Sequence, residues 1–73
     1  MLIAAPVLQS SRGLFLNTHF GRSPHIALIE IEGENYRIKQ IIDNPYWRGK
    51  RGERVKIVET LLTHGINAVL AIE

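Results

Sequence analysis

Apolar and polar residues alternate through the middle of the chain in the manner of a β-hairpin. From His25 to Glu32, and most clearly in its second half, apolar positions recur at every second residue, the period of a strand with one buried face. Gly33-Glu34-Asn35 follows, and Gly and Asn accept the positive φ angles that tight turns require. Tyr36 to Ile42 is again rich in apolar residues. The pattern predicts an antiparallel hairpin between His25 and Ile42.

Two further segments are apolar at almost every position. Leu2 to Val7 near the start and Ile66 to Ile72 near the end show no polar face, which is typical of strands buried on both sides of a sheet. Gln9 to Gly13 has the composition of a turn, and Leu14 to Leu16 is a short apolar patch. Neither of these two is assigned to a strand.

A helix is predicted from about Glu53 to His64. Apolar residues recur there at helical spacing and form one stripe: Val55, Ile57, Val58, Leu61 and Leu62. Gly65 is the expected C-terminal cap, and His64 occupies the last turn, where it caps the helix end. We expect the helix to bury Val55, Val58, Leu61 and Leu62 against one face of the sheet.

The order strand, strand, strand, helix, strand predicts an α/β domain with a mixed sheet. The last strand should lie beside the first and parallel to it, with the hairpin strands outside the first. A single helix covers one face of the sheet only. We therefore expect the other face and the last strand to be covered by a second copy of the chain or by a completing C-terminal segment.

The absence of cysteine narrows the chemistry of the chain. It excludes disulfides, thiolate zinc sites and cysteine-ligated iron–sulfur clusters, and it favours a cytoplasmic location. No apolar run approaches the roughly 18–20 residues that span a bilayer, so no membrane association is expected. The apolar fraction of 45% and the charged fraction of 22% are those of a folded domain rather than a disordered one.

Positive charge is concentrated in one segment although the net charge is only +2. Residues 46–56 contain five basic side chains and one acidic one, a local charge of +4, which leaves −2 for the rest of the chain. We interpret this segment as a weak anion-binding loop formed by Arg48, Lys50, Arg51 and Arg54, although a solvated loop would have the same composition. Its Gly49-Lys50-Arg51-Gly52 run is too short for a phosphate-binding loop and has no hydroxyl residue.

Several motifs occur in a characteristic order. His19-Phe20-Gly21-Arg22-Ser23-Pro24 precedes the hairpin, and Asn44-Pro45 follows it; the other matching elements are Ala4-Ala5-Pro6, Gly49 to Gly52 and Gly65 to Leu70. In this order they resemble the dinitrogenase iron–molybdenum cofactor biosynthesis family over essentially the whole chain. The resemblance implies a ribonuclease H-like fold with helices on both sheet faces. It also implies that residues 1–73 are a single partial domain, with an incomplete C-terminal half.

The same resemblance implies a non-enzymatic carrier of an iron–molybdenum or iron–sulfur type cofactor or its precursor. Such a cofactor is a large anion with open metal positions, which an imidazole nitrogen can occupy. His19 is the candidate metal ligand, and Phe20, Gly21 and Arg22 complete the candidate cofactor-binding set. Gly21 would let the backbone approach the cofactor closely, and Arg22 would supply charged donors. A cofactor-biosynthesis protein is the expected partner.

Other interpretations stay open for the same residues. His19 could simply hold its loop, Arg22 could be a surface charge, and His25 at the start of a strand is expected to be exposed and inert. One alternative function is a protein-interaction or regulatory domain of this fold without a cofactor. Another is a nucleic-acid binder that uses the basic loop with Tyr46 and Trp47, but these aromatic residues are more simply lids over the edge of the core. No enzyme is expected, because no enzyme signature stands out and the clustered carboxylates that a nuclease needs do not occur.

Overall fold

The computed structural model describes residues 1–17, 20, 22–49 and 55–70. Within these ranges the chain forms five strands and one helix: β1 (Leu2–Ser10), β2 (Gly13–Leu16), β3 (His25–Glu32), β4 (Asn35–Asp43), α1 (Lys56–Thr63) and β5 (Ala68–Val69). The strands join in one mixed sheet, which confirms the predicted α/β class.

β1 is the central strand of this sheet. On one side it pairs antiparallel with β3, which in turn pairs antiparallel with β4. On its other side, β5 pairs in parallel beside Ile3 and Ala4, and β2 pairs antiparallel from Val7 to Ser10. The last strand therefore lies beside the first and parallel to it, and the hairpin strands lie outside the first, as the sequence predicts.

A strand that the apolar pattern did not predict extends the sheet at one end. β1 continues to Ser10, and Leu14 to Leu16 form most of β2. The reversal between them uses Gly13 at a φ of 121°, and the backbone N–H of Arg12 donates to the hydroxyl of Ser10 at 3.1 Å. Every residue of β2 is exposed, so burial imposes no alternation that would reveal the strand in the sequence.

One face of the sheet and the helix form the core. The core residues are at most 8% exposed: Leu2, Ala4, Ile26, Leu28, Ile57 and Leu61. The first four come from even-numbered positions of β1 and β3, which share a face because side chains alternate along a strand. Ile66 packs at the margin of this cluster.

The helix buries a narrower stripe than the sequence predicts. Ile57 and Leu61 are fully buried, whereas Val55, Val58 and Leu62 are 62%, 39% and 63% exposed. The expectation that Val55, Val58 and Leu62 face the sheet is therefore wrong. Ile57 and Leu61 are four residues apart and share a face, and the residue after each is turned by about 100° from it.

The second sheet face consists of the odd-numbered positions of β1 and β3 with their partners. Central residues such as Ala5 and Ala27 are buried there, but Leu16 and Ile38 are 53% and 48% exposed. No helix covers this face in the part of the chain that is described. What covers this face stays a prediction.

β5 is an edge strand in the described residues. Ala68 and Val69 are exposed because β1 is their only strand neighbour within those ranges, although their sequence is typical of a central strand. Asn67 fixes the entry to β5: its side-chain oxygen accepts from the backbone N–H of Leu2 at 2.8 Å. Its own backbone N–H donates to the Leu2 carbonyl oxygen at 2.7 Å.

Candidate functional site

The two strongest sequence motifs leave the sheet at the same end. β3 begins at His25 and β4 ends at Asp43, and these two residues are register partners. Val7 of β1 lies on the other side of His25 in the same row. The motif that ends at Pro24 and the motif that starts at Asn44 therefore emerge side by side from the sheet.

Hydrogen bonds of two buried polar residues hold these motifs together. Ser23 and Asn44 are 0% and 1% exposed. The side-chain N–H of Asn44 donates to the carbonyl oxygen of Ser23 at 2.9 Å, and its backbone N–H donates to that of Pro24 at 2.9 Å. The Ser23 hydroxyl lies 2.9 Å from the carbonyl oxygen of Val7 and 2.8 Å from that of His25, so its single proton serves two acceptors. The motif end is thus tied to both β1 and β4.

Asn44 also shapes the start of the basic loop. Its side-chain oxygen accepts from the backbone N–H of Tyr46 at 3.0 Å, which makes a local turn. Its carbonyl oxygen accepts from Trp47 at 3.4 Å, and the carbonyl oxygen of Tyr46 accepts from Gly49 at 2.9 Å. Asn44, the first residue of the Asn44-Pro45 motif, thus connects the loop that ends at Pro24 to the basic loop that follows β4. Sequence reasoning did not assign this role to Ser23 or Asn44, and their place inside the motifs was the only available signal.

Two members of the predicted cofactor-binding set lie in the described residues. Phe20 is half-buried and packs against the core, and its carbonyl oxygen accepts from the backbone N–H of Ser23 at 3.2 Å. Arg22 is exposed, as a donor to an external anion must be. His19 and Gly21 lie outside the described residues, so their roles stay predictions.

One member of the predicted anion-binding set is also described. The guanidinium carbon of Arg48 lies 4.4 Å from the centroid of the Trp47 ring, a cation–π contact. Tyr46 packs against the core, which agrees with its interpretation as a lid. Lys50, Arg51 and Arg54 lie outside the described residues. Downstream, α1 begins at Lys56 without a side-chain hydrogen bond from its N-cap Val55, and the backbone N–H of Val58 donates to the Val55 carbonyl oxygen at 3.1 Å.

His25 differs from its sequence-based interpretation. Its Nδ1 lies 3.0 Å from a carboxylate oxygen of Asp43, and its side chain is 29% exposed against 88% for Asp43. The expectation that His25 is exposed is therefore wrong, since the ring is half-buried and paired, and its inertness stays a prediction. The two residues face each other because of a β-bulge in β4: Leu28 pairs with Gln40 but Ile29 pairs with Ile38.

His64 behaves as predicted at the end of the helix. Its backbone N–H donates to the carbonyl oxygen of Leu61 at 3.0 Å, that of Gly65 donates to Leu62 at 3.1 Å, and the His64 side chain is exposed. Within the described ranges, no three or more His, Asp or Glu residues form a group that could hold a metal ion.

Comparison with known proteins identifies a family. A family model described as dinitrogenase iron-molybdenum cofactor matches residues 1–73. Neither the curated proteins nor the solved structures include a match, so the ribonuclease H-like classification stays a prediction. None of the helices in the described residues has the length and apolar character needed to cross a membrane.

Proposed function

The chain belongs to the dinitrogenase iron–molybdenum cofactor family, and from this we propose that it is a non-enzymatic carrier of an anionic metal–sulfur cofactor or precursor. In this role it would receive the cofactor during nitrogenase cofactor biosynthesis and pass it to a protein partner. The observation that supports the proposal most directly is the link between Ser23 and Asn44, which joins the two family motifs at one end of the sheet.

This link suits a binding site because it prepares the loop before the ligand arrives. A loop held by buried hydrogen bonds loses less conformational entropy on binding than a free one. Phe20 packs against the core, whereas Arg22, two residues later in the same motif, is exposed to solvent. The motif therefore combines a fixed base with an accessible charge.

The proposed ligand set follows the family resemblance. His19 would donate an imidazole nitrogen to an open metal position, Gly21 would allow close backbone approach, and Arg22 would pair with sulfide or carboxylate groups. Arg48 leaves the sheet at the same end, since its loop follows β4 directly, and Lys50, Arg51 and Arg54 follow it in the sequence. They would add a weaker attraction for the anion.

A protein-interaction domain without cofactor is the second candidate. The partly exposed Leu16 and Ile38 on the second sheet face favour it, because apolar side chains gathered on one face often mark a protein contact. In that case a second copy of the chain is the proposed occupant. Cofactor loading separates the two candidates.

We expect the His19→Ala variant to lose most of its cofactor loading, by more than about 100-fold in affinity, since removing a ligand costs more than removing a group that orients one. Arg22→Lys should weaken loading about tenfold, because a point charge cannot reproduce the planar fork of guanidinium. His64→Ala is the matched control, since that histidine caps a helix and is exposed. The measurement is anaerobic loading with isolated iron–molybdenum cofactor, followed by metal analysis.

Two results would count against the proposal. Equal loading of the wild type and His19→Ala would place the site away from this loop. A wild-type protein that takes up no cofactor under conditions that load a known carrier would favour the interaction domain.

A further inference from the structure

The hairpin of β1 and β2 extends beyond the rest of the sheet. β1 pairs with β3 only as far as Val7, whereas its pairing with β2 continues to Ser10. The apolar side chains of this protruding ribbon are partly exposed: Leu8 43%, Leu14 37%, Phe15 51% and Leu16 53%. We propose that β2 pairs antiparallel with β2 of a second copy of the chain, which makes a symmetric dimer through the edge of the sheet. This surface differs from the second sheet face, and the inference does not depend on the carrier function.

The hydrogen bonds of the ribbon show which backbone groups of β2 are directed outward. The backbone N–H of Asn17 donates to the Pro6 carbonyl oxygen at 2.9 Å, so Asn17 is directed toward β1. In an antiparallel pair this direction alternates from residue to residue, and Phe15 therefore bonds to β1 as well. The N–H and C=O groups of Leu14 and Leu16 point to the opposite side, where β2 is the end strand of the sheet within the described residues.

The sequence of β2 fits this backbone pattern to a twofold axis. The three residues Leu14 to Leu16 read the same in both directions around Phe15. With the axis at Phe15, Leu14 lies opposite Leu16 of the second copy, and Leu16 lies opposite Leu14. These are the residues whose backbone groups point outward, so the two strands exchange about four hydrogen bonds. A twofold interface must be complementary to itself, and β2 meets this requirement in its backbone and in its side chains.

Both faces of the ribbon gain apolar contacts in this register. Phe15 lies beside Leu8 in the ladder and becomes the neighbour of Phe15 of the second copy, in a non-hydrogen-bonded pair whose side chains are close. On the other face, leucine lies opposite leucine. Association then removes partly exposed apolar groups from water and pairs two aromatic rings. β2 has no charged residue, so no like charges meet between its strands.

The strand at the opposite end of the sheet, β4, has features that prevent edge pairing. It carries Arg37 and Lys39, and its register shifts between the partners of Leu28 and Ile29. Charged side chains and bulges on an edge strand disfavour pairing with another chain. β2 has neither a charge nor a register shift. This contrast identifies β2 as the edge that pairs.

The dimer is small, and it lies next to the candidate site. One four-residue strand from each copy gives an interface below the roughly 1,200–2,000 Å² of stable complexes, so association should require a high protein concentration. β2 ends at Leu16, and the motif that begins at His19 follows it in the sequence. Pairing of β2 therefore fixes the strand from which the motif segment starts.

Sedimentation over a range of concentrations tests the dimer. For the wild type we expect the average mass to rise from 8.3 kDa toward twice that value as the concentration increases. Leu14→Pro removes an outward N–H and leaves the ladder to β1, as proline can at an edge. It should weaken association about tenfold or more, because symmetry removes this hydrogen bond twice. Ile38→Lys changes the second sheet face and is the control that should associate as the wild type does. Circular dichroism checks that each variant is folded.

Single cysteines test the register, because the chain has no cysteine of its own. A non-hydrogen-bonded pair places its Cα atoms about 4.5 Å apart, within the range of a disulfide. Phe15→Cys should therefore form a linked dimer under mild oxidation. Leu14→Cys is the matched control, since its symmetry mate lies two residues along the strand, beyond the limit of about 7 Å. It should link to an added Leu16→Cys chain but not to itself.

The outcomes separate this dimer from other contacts. A monomer at every concentration would disprove it. A dimer that Ile38→Lys abolishes and Leu14→Pro leaves intact would place the contact on the second sheet face and overturn the inference, as would equal linking of Phe15→Cys and Leu14→Cys. Weaker association of Leu14→Pro, together with linking specific to Phe15→Cys, supports it. Cofactor loading is measured separately, so failure of the dimer and failure of the carrier function are distinguishable.

Discussion

The Leu61→Ala variant should lose about half of the stability of this domain. Leu61 is fully buried in the only layer that joins helix and sheet in the described residues. Truncating a buried leucine costs about 2–5 kcal/mol, because the lost transfer energy adds to the cost of the cavity. A chain of 73 residues has roughly 4–11 kcal/mol in total at typical values per residue. Urea denaturation followed by circular dichroism measures the loss.

Leu62→Ala is a matched control for this prediction. It removes the same atoms from the next residue of the same helix, but Leu62 is 63% exposed. We expect its effect to stay within about 0.5 kcal/mol, as for other surface substitutions. If Leu61→Ala and Leu62→Ala lost equal free energies of unfolding, Leu62 would be covered in solution, and the burial pattern described above would be contradicted.

Asn44→Ala should be the most damaging substitution outside the apolar core. It leaves the carbonyl oxygen of Ser23 without this donor and the backbone N–H of Tyr46 without its acceptor. Unsatisfied buried groups cost about 1–3 kcal/mol each, so we expect a loss of about 2–4 kcal/mol in the free energy of unfolding. Faster amide exchange at Tyr46 should accompany the loss, because that N–H is then open to water.

Two further variants show whether the hydrogen bonds cause this effect. Asn44→Asp keeps an acceptor for Tyr46 but places a carboxylate against the Ser23 carbonyl oxygen, so it should destabilise the protein at least as much as alanine does. Asn35→Ala removes an exposed asparagine and should have little effect. Losses of the same size for Asn44→Ala and Asn35→Ala would mean that the link between the motifs contributes nothing to stability.

Local pattern was sufficient for most of the architecture. The hairpin follows from a hydrophobic period of two residues and the helix from a period of about 3.6 residues. The parallel neighbours β1 and β5 follow from two segments that are apolar on both faces. β2 was missed because all its residues are exposed. The buried helix face was mispredicted because five apolar residues cover more of the helix surface than one sheet contacts.

The candidate site was predictable only as a set of motifs. Phe20 and Arg22 belong to a recognisable sequence, but nothing along the chain shows that Ser23 and Asn44, twenty-one residues apart, bond to each other. That contact exists because β3 starts and β4 ends in the same row of the sheet. The motifs indicate which residues are candidates for the site, and the strand register determines which of these residues are in contact.

The sequence by itself determined the fold class, the order of the elements apart from β2, and the family, because these depend on hydrophobic periodicity and on short motifs. The tertiary structure decided the pairing of His25 with Asp43. From the turn outward, uninterrupted pairing would place Ile42 opposite His25, and the register shift in β4 between the partners of Leu28 and Ile29 brings Asp43 there instead. A one-residue shift also exchanges the faces of all later side chains, so a single bulge selects which residue pairs with His25.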